Sequence, residues 1–397
     1  MRILILNTDY PRFLGALYAG QPGLAEASYA VQMRARNSTL FGVADFYSRN
    51  FRGAGHEAAE LHVNNQILQY AWARENSLSI EPQPMDHDIT SPANATLSRV
   101  LGPIRPLLRP VLRKLKPFRM PDWEVRVLVA QVEALKPDVI LNQAMEYVRS
   151  PVLKLLRAPR RLIVGQIAAP RPEDEDYRVY DLVISSLPNF IEWFSRHDVR
   201  ARYNQLAFEP SVLEAMGPEP ERDVPLSFVG SLSPDHAGRV AWLEEIARNT
   251  PLKVWGNGIE RLPPSSPLHA IYQGEAWGRQ MYDVLRRSRI TLNYHIDIAE
   301  GWANNMRLYE ATGAGAMLLT DRQRNIGDIY VDGSEVTTYG STRECIGQTK
   351  RYLADEPARA AIAAAGQRKA VEVNNYFNRT GEILEYFAEL ANVWVLP

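Results

Sequence analysis

Short apolar runs alternating with segments of helical period dominate the chain. Residues 3–6, Ile-Leu-Ile-Leu, form a continuous apolar run that gives way to Asn7 and the polar residues before Pro11. Such a run is the pattern of a parallel strand buried on both faces. Across residues 28–51 apolar and aromatic positions recur at helical spacing and stop at Gly53-Ala54-Gly55, which predicts one long helix with a glycine end. Residues 58–63 read as a second strand, so the opening is a βαβ unit. Further strands are predicted at 138–141 after Lys136-Pro137, at 161–165 and at 180–186, with a short helix over 188–197. Strands separated by helices in this way predict an α/β chain with a doubly wound parallel sheet.

The second half repeats the theme. Strands are expected at 226–231, 252–256, 290–294 and 316–320, and helices at 239–250, 281–288 and 305–313. Two Rossmann-like halves follow. The boundary falls in 208–222, where Pro210, Gly217, Pro218 and Pro220 cluster. The units expected are 1–212, 213–375 and a terminal segment 376–397.

One segment breaks the rhythm. Residues 89–121 carry Arg99, Arg105, Arg109, Arg113, Lys114, Lys116 and Arg119, with apolar residues between them. A basic amphipathic stretch suits an anionic membrane surface or a lipid-diphosphate acceptor. Pro103, Pro106, Pro110 and Pro117 interrupt any long helix there, and the plainer reading is a connector packed on its own domain.

Composition narrows the classes. With 45 basic and 46 acidic side chains the net charge is -1, which argues against a globally basic nucleic-acid binder. Cys345 is the single cysteine, so disulfide frameworks and multi-cysteine metal sites are excluded. The seven histidines include no i,i+4 pair, which disfavours a metalloenzyme. The first strand runs into Asn7-Thr8-Asp9-Tyr10-Pro11, where a dinucleotide-binding oxidoreductase needs a glycine-rich loop. The N-terminal apolar run is too short for a signal peptide, and no run approaches the roughly 18 residues of a spanning helix. A cytoplasmic protein, peripheral at the inner membrane face at most, is expected.

From Leu226 onward the chain resembles the C-terminal half of GT-B glycosyltransferases, and most closely their CgeB-like branch. The matching pieces occur in order: Phe228-Val229-Gly230-Ser231 with Arg239 beyond; Val254-Trp255-Gly256-Asn257-Gly258; Gly274 with Met281-Tyr282; Ile290 to His295; and Asn305-Met306-Arg307-Leu308-Tyr309-Glu310-Ala311-Thr312-Gly313. Tyr376, Arg379 and an apolar last helix also fit. The resemblance implies two Rossmann-like domains about a cleft, with the last helix crossing back to the first. It implies metal-independent transfer of a sugar from a nucleotide-sugar donor, without cofactor, to a glycan or lipid-linked acceptor, in bacterial cell-surface polysaccharide synthesis.

Transfer leaves a diphosphate of growing charge, which a metal-free site neutralises with amides, helix N-termini and cations. Candidates are the Gly230-Ser231 turn, otherwise a plain tight turn; Arg239, otherwise a surface residue; Gly256 and Asn257; and His295, otherwise a satisfied loop histidine. In the family the glutamate matched by Glu310 accepts the ribose hydroxyls, a task suited to an acceptor-only carboxylate. The plain alternative is a helix pair with Arg307 three residues earlier. The better-known retaining enzymes carry a second glutamate eight positions before; here that residue is Trp302, which leaves Asn304 and Asn305 as sugar contacts. The first domain is expected to bind the acceptor and supply any base, with Asp9, Asp45 and His56 as candidates. Asp45 reads equally as a helix N-cap and His56 as structural. A nucleotide-sugar epimerase of the same fold and a non-catalytic carbohydrate-binding scaffold are the alternatives.

Overall fold

The computed structural model describes residues 1–81, 119–232, 237–295 and 299–392. The basic segment expected to contact membrane therefore lies, apart from 119–121, outside the described residues. Among those described, no helix is long and apolar enough to cross a membrane.

The first half runs β1 (Arg2–Asn7), α1 (Pro11–Gly20), α2 (Tyr29–Ser38), α3 (Phe46–Gly53), β2 (Glu57–His62), α4 (Gln66–Glu75), α5 (Asp122–Leu135), β3 (Val139–Asn142), α6 (Ser150–Leu156), β4 (Leu162–Gln166), β5 (Leu182–Ser185), α7 (Pro188–Arg196) and β6 (Ala201–Tyr203). Its six strands pair in the order β2-β1-β3-β4-β5-β6, all parallel. Residues 3–6 of β1 are at most 2% exposed, the burial expected of a strand covered on both faces.

After α8 (Ser211–Met216), the second half runs β7 (Val224–Val229), α9 (Ala237–Asn249), β8 (Leu252–Trp255), α10 (Leu268–Ile271), α11 (Arg279–Arg287), β9 (Ser288–Asn293), α12 (Arg307–Gly313), β10 (Met317–Asp321), α13 (Ile326–Ile329), β11 (Thr337–Tyr339), α14 (Thr342–Ala354), α15 (Glu356–Glu372) and α16 (Tyr376–Asn392). Its five strands are also parallel, in the order β11-β10-β9-β7-β8. The two-sheet, doubly wound architecture expected from the pattern is the observed one.

The last helix returns to the first domain. Phe387 packs on Phe51 with ring centroids 6.2 Å apart, and Tyr376 meets Tyr47 edge-on at 5.1 Å. Asn204 Nδ2 donates to Glu382 at 2.7 Å, and Tyr386 donates its hydroxyl to the Tyr203 carbonyl. Phe208, in the connection between the sheets, bonds on both sides of its own peptide to Asn374 and Tyr376. Its ring presses on Gly313, where a Cβ would lie 2.3 Å from it.

One expectation is corrected. Residues 28–51 form two helices, not one, broken where Leu40, Gly42 and Ala44 adopt positive φ of 59°, 61° and 39°. The break frees the Thr39 carbonyl, which accepts from the Arg279 N–H of the second domain at 2.8 Å. Gly278 makes that approach possible: its φ is +50°, and a Cβ there would sit 2.1 Å from the Thr39 oxygen. The C-terminal edges of the two sheets face each other across this junction. Arg12, after β1, pairs with Glu260 and Glu275 after β8 at 2.5 and 2.6 Å. Trp277 meets Phe41 edge-on at 5.2 Å. On the other flank, Ala299 and Trp302 of the second domain join the first domain's apolar cluster.

Candidate functional site

In open parallel sheets ligands sit outside the carboxyl ends of strands where the order reverses. Here those points are β1/β3 in one sheet and β7/β9 in the other.

At the β7/β9 point the second domain converges charged groups. Glu310 stands in the first turn of α12, buried, with its Oε2 accepting from Arg307 Nη1 at 2.6 Å. Arg307 Nε in turn donates to the Val229 carbonyl at the end of β7. Burial raises the Glu310 carboxyl above its ordinary value, and Arg307 opposes the rise. The i,i+3 pair anticipated as the plain alternative therefore exists, and it aims Glu310 beside the β7 turn. Asn305 bridges this helix to the sheet. Its Nδ2 donates to Asn293 Oδ1, and its Oδ1 accepts from the Leu308 N–H. The Asn305 side chain thus fastens the helix start to the sheet. Asn304 is half-buried in the same loop. Trp302 packs into the first domain under the Arg324 guanidinium, 5.7 Å from its ring.

The glycine turns are laced together. The Gly230 N–H donates to the Trp255 carbonyl, the Gly256 N–H to Gly274, and the Leu232 N–H to Asn257. A Cβ on Gly256, with φ +151°, would lie 1.7 Å from the Gly230 oxygen. Against expectation, then, the Gly230 and Gly256 amides serve backbone pairing and not an anion; the glycines are needed for close approach. Arg239 folds back so that Nη1 donates to the Ser231 carbonyl at 3.3 Å. Burial lowers the Arg239 pKa while Asp321 nearby counters it. His295, just past β9, places Nδ1 2.7 Å from Asp321 Oδ1, and its own N–H also donates to that carboxylate. Burial would raise Asp321, but the His295 and Gln323 bonds hold it below its usual value. An ionised carboxylate only accepts, so the His295 Nδ1 carries the proton of this bond. Among the described residues no partner meets its Nε2.

The three candidate bases of the first domain do not converge. Asp9 is fully buried, 2.6 Å from Arg36 Nη2 and 3.1 Å from His62 Nδ1. Burial opposes its ionisation, yet His62 and Arg36 hold its carboxyl well below the usual range; burial also pushes His62 down, which leaves Arg36 as the lasting countercharge. A carboxylate so held does not reach an acceptor. Asp45 pairs with Arg49 and Arg52 on the wall of a separate cavity beside the edge strand β2, and its side chain makes no cap bond. His56 precedes β2, at the amino end of the sheet, 3.2 Å from the N-terminal ammonium.

The carboxyl edge of that sheet carries neutral amides instead. Gln143 donates to Gln166, and Gln166 donates to the Tyr47 hydroxyl. The Asn7 Nδ2, at the end of β1, is buried without a partner among the described residues. Glu146, on the loop after β3, is exposed. Four residues past the end of β3, in Asn142-Gln143-Ala144-Met145-Glu146, it is not among the residues singled out from the sequence.

Residues 239–385 match the glycosyl transferase-like family model. The fold resembles solved structures over nearly its whole length. AviGT4, a glycosyltransferase involved in avilamycin A biosynthesis, has a TM-score of 0.57 at 14% identity, covering 99% of this chain and 98% of that one. Anabaena HepE in complex with UDP and glucose has a TM-score of 0.55 at 13% identity, covering 98% and 100%. Sucrose-phosphate synthase from Thermosynechococcus elongatus has a TM-score of 0.54 at 10% identity, covering 99% and 100%. No curated protein matches the chain in sequence.

Proposed function

We propose that this GT-B glycosyltransferase draws its sugar from a nucleoside-diphosphate donor gripped in the second domain, with Glu310 on the ribose. The observation carrying the reading is the buried Arg307–Glu310 pair at the β7/β9 switch point, inside the segment that matches the family model. Arg307 holds one carboxylate oxygen; the other accepts the vicinal hydroxyls. The diphosphate lies toward Arg239, whose charge opposes its growing negative charge. UDP and UDP-glucose in the HepE structures make a uridine nucleotide the first donor to try. The donor sugar rests against the loop 299–305, where Asn304 and main-chain amides remain.

The acceptor approaches from the first domain's amide-lined edge, with Glu146 as the carboxylate nearest a reacting hydroxyl. A glycan or lipid-linked acceptor in bacterial surface polysaccharide synthesis is the class this arrangement serves. Junction contacts through Arg12, Phe41 and Arg279 keep the lobes together, and a closed cleft keeps water from the donor.

Glu310→Gln tests the grip while preserving shape. A hydrogen bond to a charged group contributes about 1.5–3 kcal/mol, so titration calorimetry with UDP and GDP should show affinity falling about 10- to 100-fold for whichever binds, with an unchanged circular-dichroism spectrum. Equal affinity in the variant rejects the ribose role.

A further inference from the structure

A cavity of about 740 Å³ runs beside β2, the outermost strand of the first sheet. Ala58, Ala59, Glu60 and Leu61 all line it. Successive strand residues point to opposite faces, so four in a row mark a cavity that follows the open edge of the strand. It reaches from Trp72 on α4 and Leu135 at the end of α5 to Ala215 and Arg279 beside the lobe junction. The size is ordinary for a small-ligand site.

The walls leave hydrocarbon and positive charge for a ligand. Their neutral polar side chains are used inside the protein: Ser48 Oγ donates to the Asp45 carbonyl, Ser38 Oγ donates to the Ala35 carbonyl, and Asn37 Oδ1 accepts from Arg36. Met33, Leu40, Leu61, Trp72 and Leu135 supply apolar surface. Four guanidiniums share the lining, those of Arg34, Arg49, Arg52 and Arg279. Arg49 and Arg52 converge on one oxygen of Asp45, at 3.1 and 3.8 Å. Arg279 donates to the Ser38 and Ala215 carbonyls, which leave its charge uncompensated. The other acid of the lining is Glu60, and burial lifts its carboxyl to about 8, so it keeps its proton at neutral pH. Four cations therefore meet one ionised carboxylate.

This combination selects among ligands. A sugar or a nucleobase needs neutral partners that are already taken, and a cation is repelled. An extended peptide pairs with open strand edges, but Arg52 Nη1 already holds the Ala58 carbonyl at 2.9 Å. A hydrocarbon chain ending in an anion uses both features, since apolar surface leaves water along the chain and guanidiniums hold carboxylate or phosphate oxygens at its end.

We propose that the cavity beside β2 binds a single-chain anionic amphiphile, with the chain along the strand edge and the head at Arg49 and Arg52. Carboxylate and phosphate monoester heads share that chemistry. The inference is independent of the donor reading, because no lining residue is among those placed on the nucleotide.

The test measures binding, not transfer. Dodecanoate, dodecyl phosphate and the neutral-headed dodecyl maltoside are titrated below their micelle concentrations and followed by calorimetry. Acetate and inorganic phosphate serve as heads without a chain. Wild type is compared with Arg49→Gln/Arg52→Gln, which removes the charge, Arg49→Lys/Arg52→Lys, which keeps it, and Met33→Trp, which fills the groove. Each variant is first checked by its circular-dichroism spectrum and melting point. Saturable binding of an anionic chain, but not of a head alone, is expected in wild type. It should be about tenfold weaker in the Gln pair, largely regained in the Lys pair and lost in Met33→Trp. Tighter binding of dodecanoate supports a fatty-acid source, and tighter binding of dodecyl phosphate a lipid-phosphate one. Equal binding of dodecyl maltoside, no saturable binding of either anion, or binding that survives both the Gln pair and Met33→Trp overturns the proposal. So does saturation by an extended acidic peptide in place of the amphiphiles, which would assign the groove to a pairing strand.

Discussion

The carboxyl edges of the two sheets are built from different chemistry. The second domain crowds ionisable groups there: Glu310 with Arg307, His295 with Asp321, and Arg239 under the β7 turn. The first domain draws Asp9 inward and holds Asp45 and His56 away, and its edge carries amides and a tyrosine with the exposed Glu146 beside them. Under the proposed function the difference matches what each domain would recognise. A nucleoside diphosphate offers fixed hydroxyls and a fixed charge, which a carboxylate and cations match; an acceptor hydroxyl offers neither until it reacts.

The largest effect that would break this contrast is at Asp9. Removing one partner of a buried ion pair costs about 3–5 kcal/mol, so Asp9→Asn should shift the urea midpoint sharply downward. A variant as stable as wild type yet inactive in transfer would return Asp9 to the catalytic side.

Next comes Glu60, the first domain's counterpart of Glu310: equally buried, facing the Ser48 N–H, and among the described residues without a guanidinium partner or any partner for its Oε2. Burial pushes its pKa up to about 8, from 4.5. The folded state thus binds the proton more tightly than the unfolded one. The stability due to this carboxyl is complete below about 4.5 and is lost as pH rises through about 8. Glu60→Gln should flatten that decline and stabilise the protein at pH 9 by an amount on the order of a few kcal/mol. Parallel stability–pH curves for both proteins would mean that Glu60 is ionised throughout.

Gly278→Ala probes the junction on which both edges depend. A Cβ 2.1 Å from the Thr39 oxygen, at φ +50°, must push the lobes apart or strain the turn. A destabilisation of about 1–3 kcal/mol, with a larger radius of gyration in solution scattering, is expected. An unchanged radius together with an unchanged melting point would show that the contact is slack. The smallest effect is at His56, half-buried at the wrong end of the sheet. His56→Ala should stay within about 0.5 kcal/mol of wild type and leave transfer rates alone; a kinetic defect would contradict its placement.

Much of the second domain was legible before any coordinates. Apolar strand runs, the helix carrying Glu310 and the order of the glycine turns depend on local pattern and backbone sterics, which residues within a few positions determine. The same local logic paired Arg307 with Glu310, because i and i+3 share a helix face. The bases of the first domain were misplaced because burial and partner choice are not local. Asp9 meets Arg36 and His62 only after three elements fold together, and the 28–51 helix breaks at residues whose carbonyl is claimed by Arg279 from the other domain. Glycines that read as phosphate loops are there so that two backbones can touch. Composition and periodicity alone determined two parallel sheets with helices between them, since covering an apolar run on both faces admits few alternatives. Which carboxylates reach the cleft was decided by tertiary packing alone, because the cost of burying a charge depends on neighbours that the order of residues does not reveal.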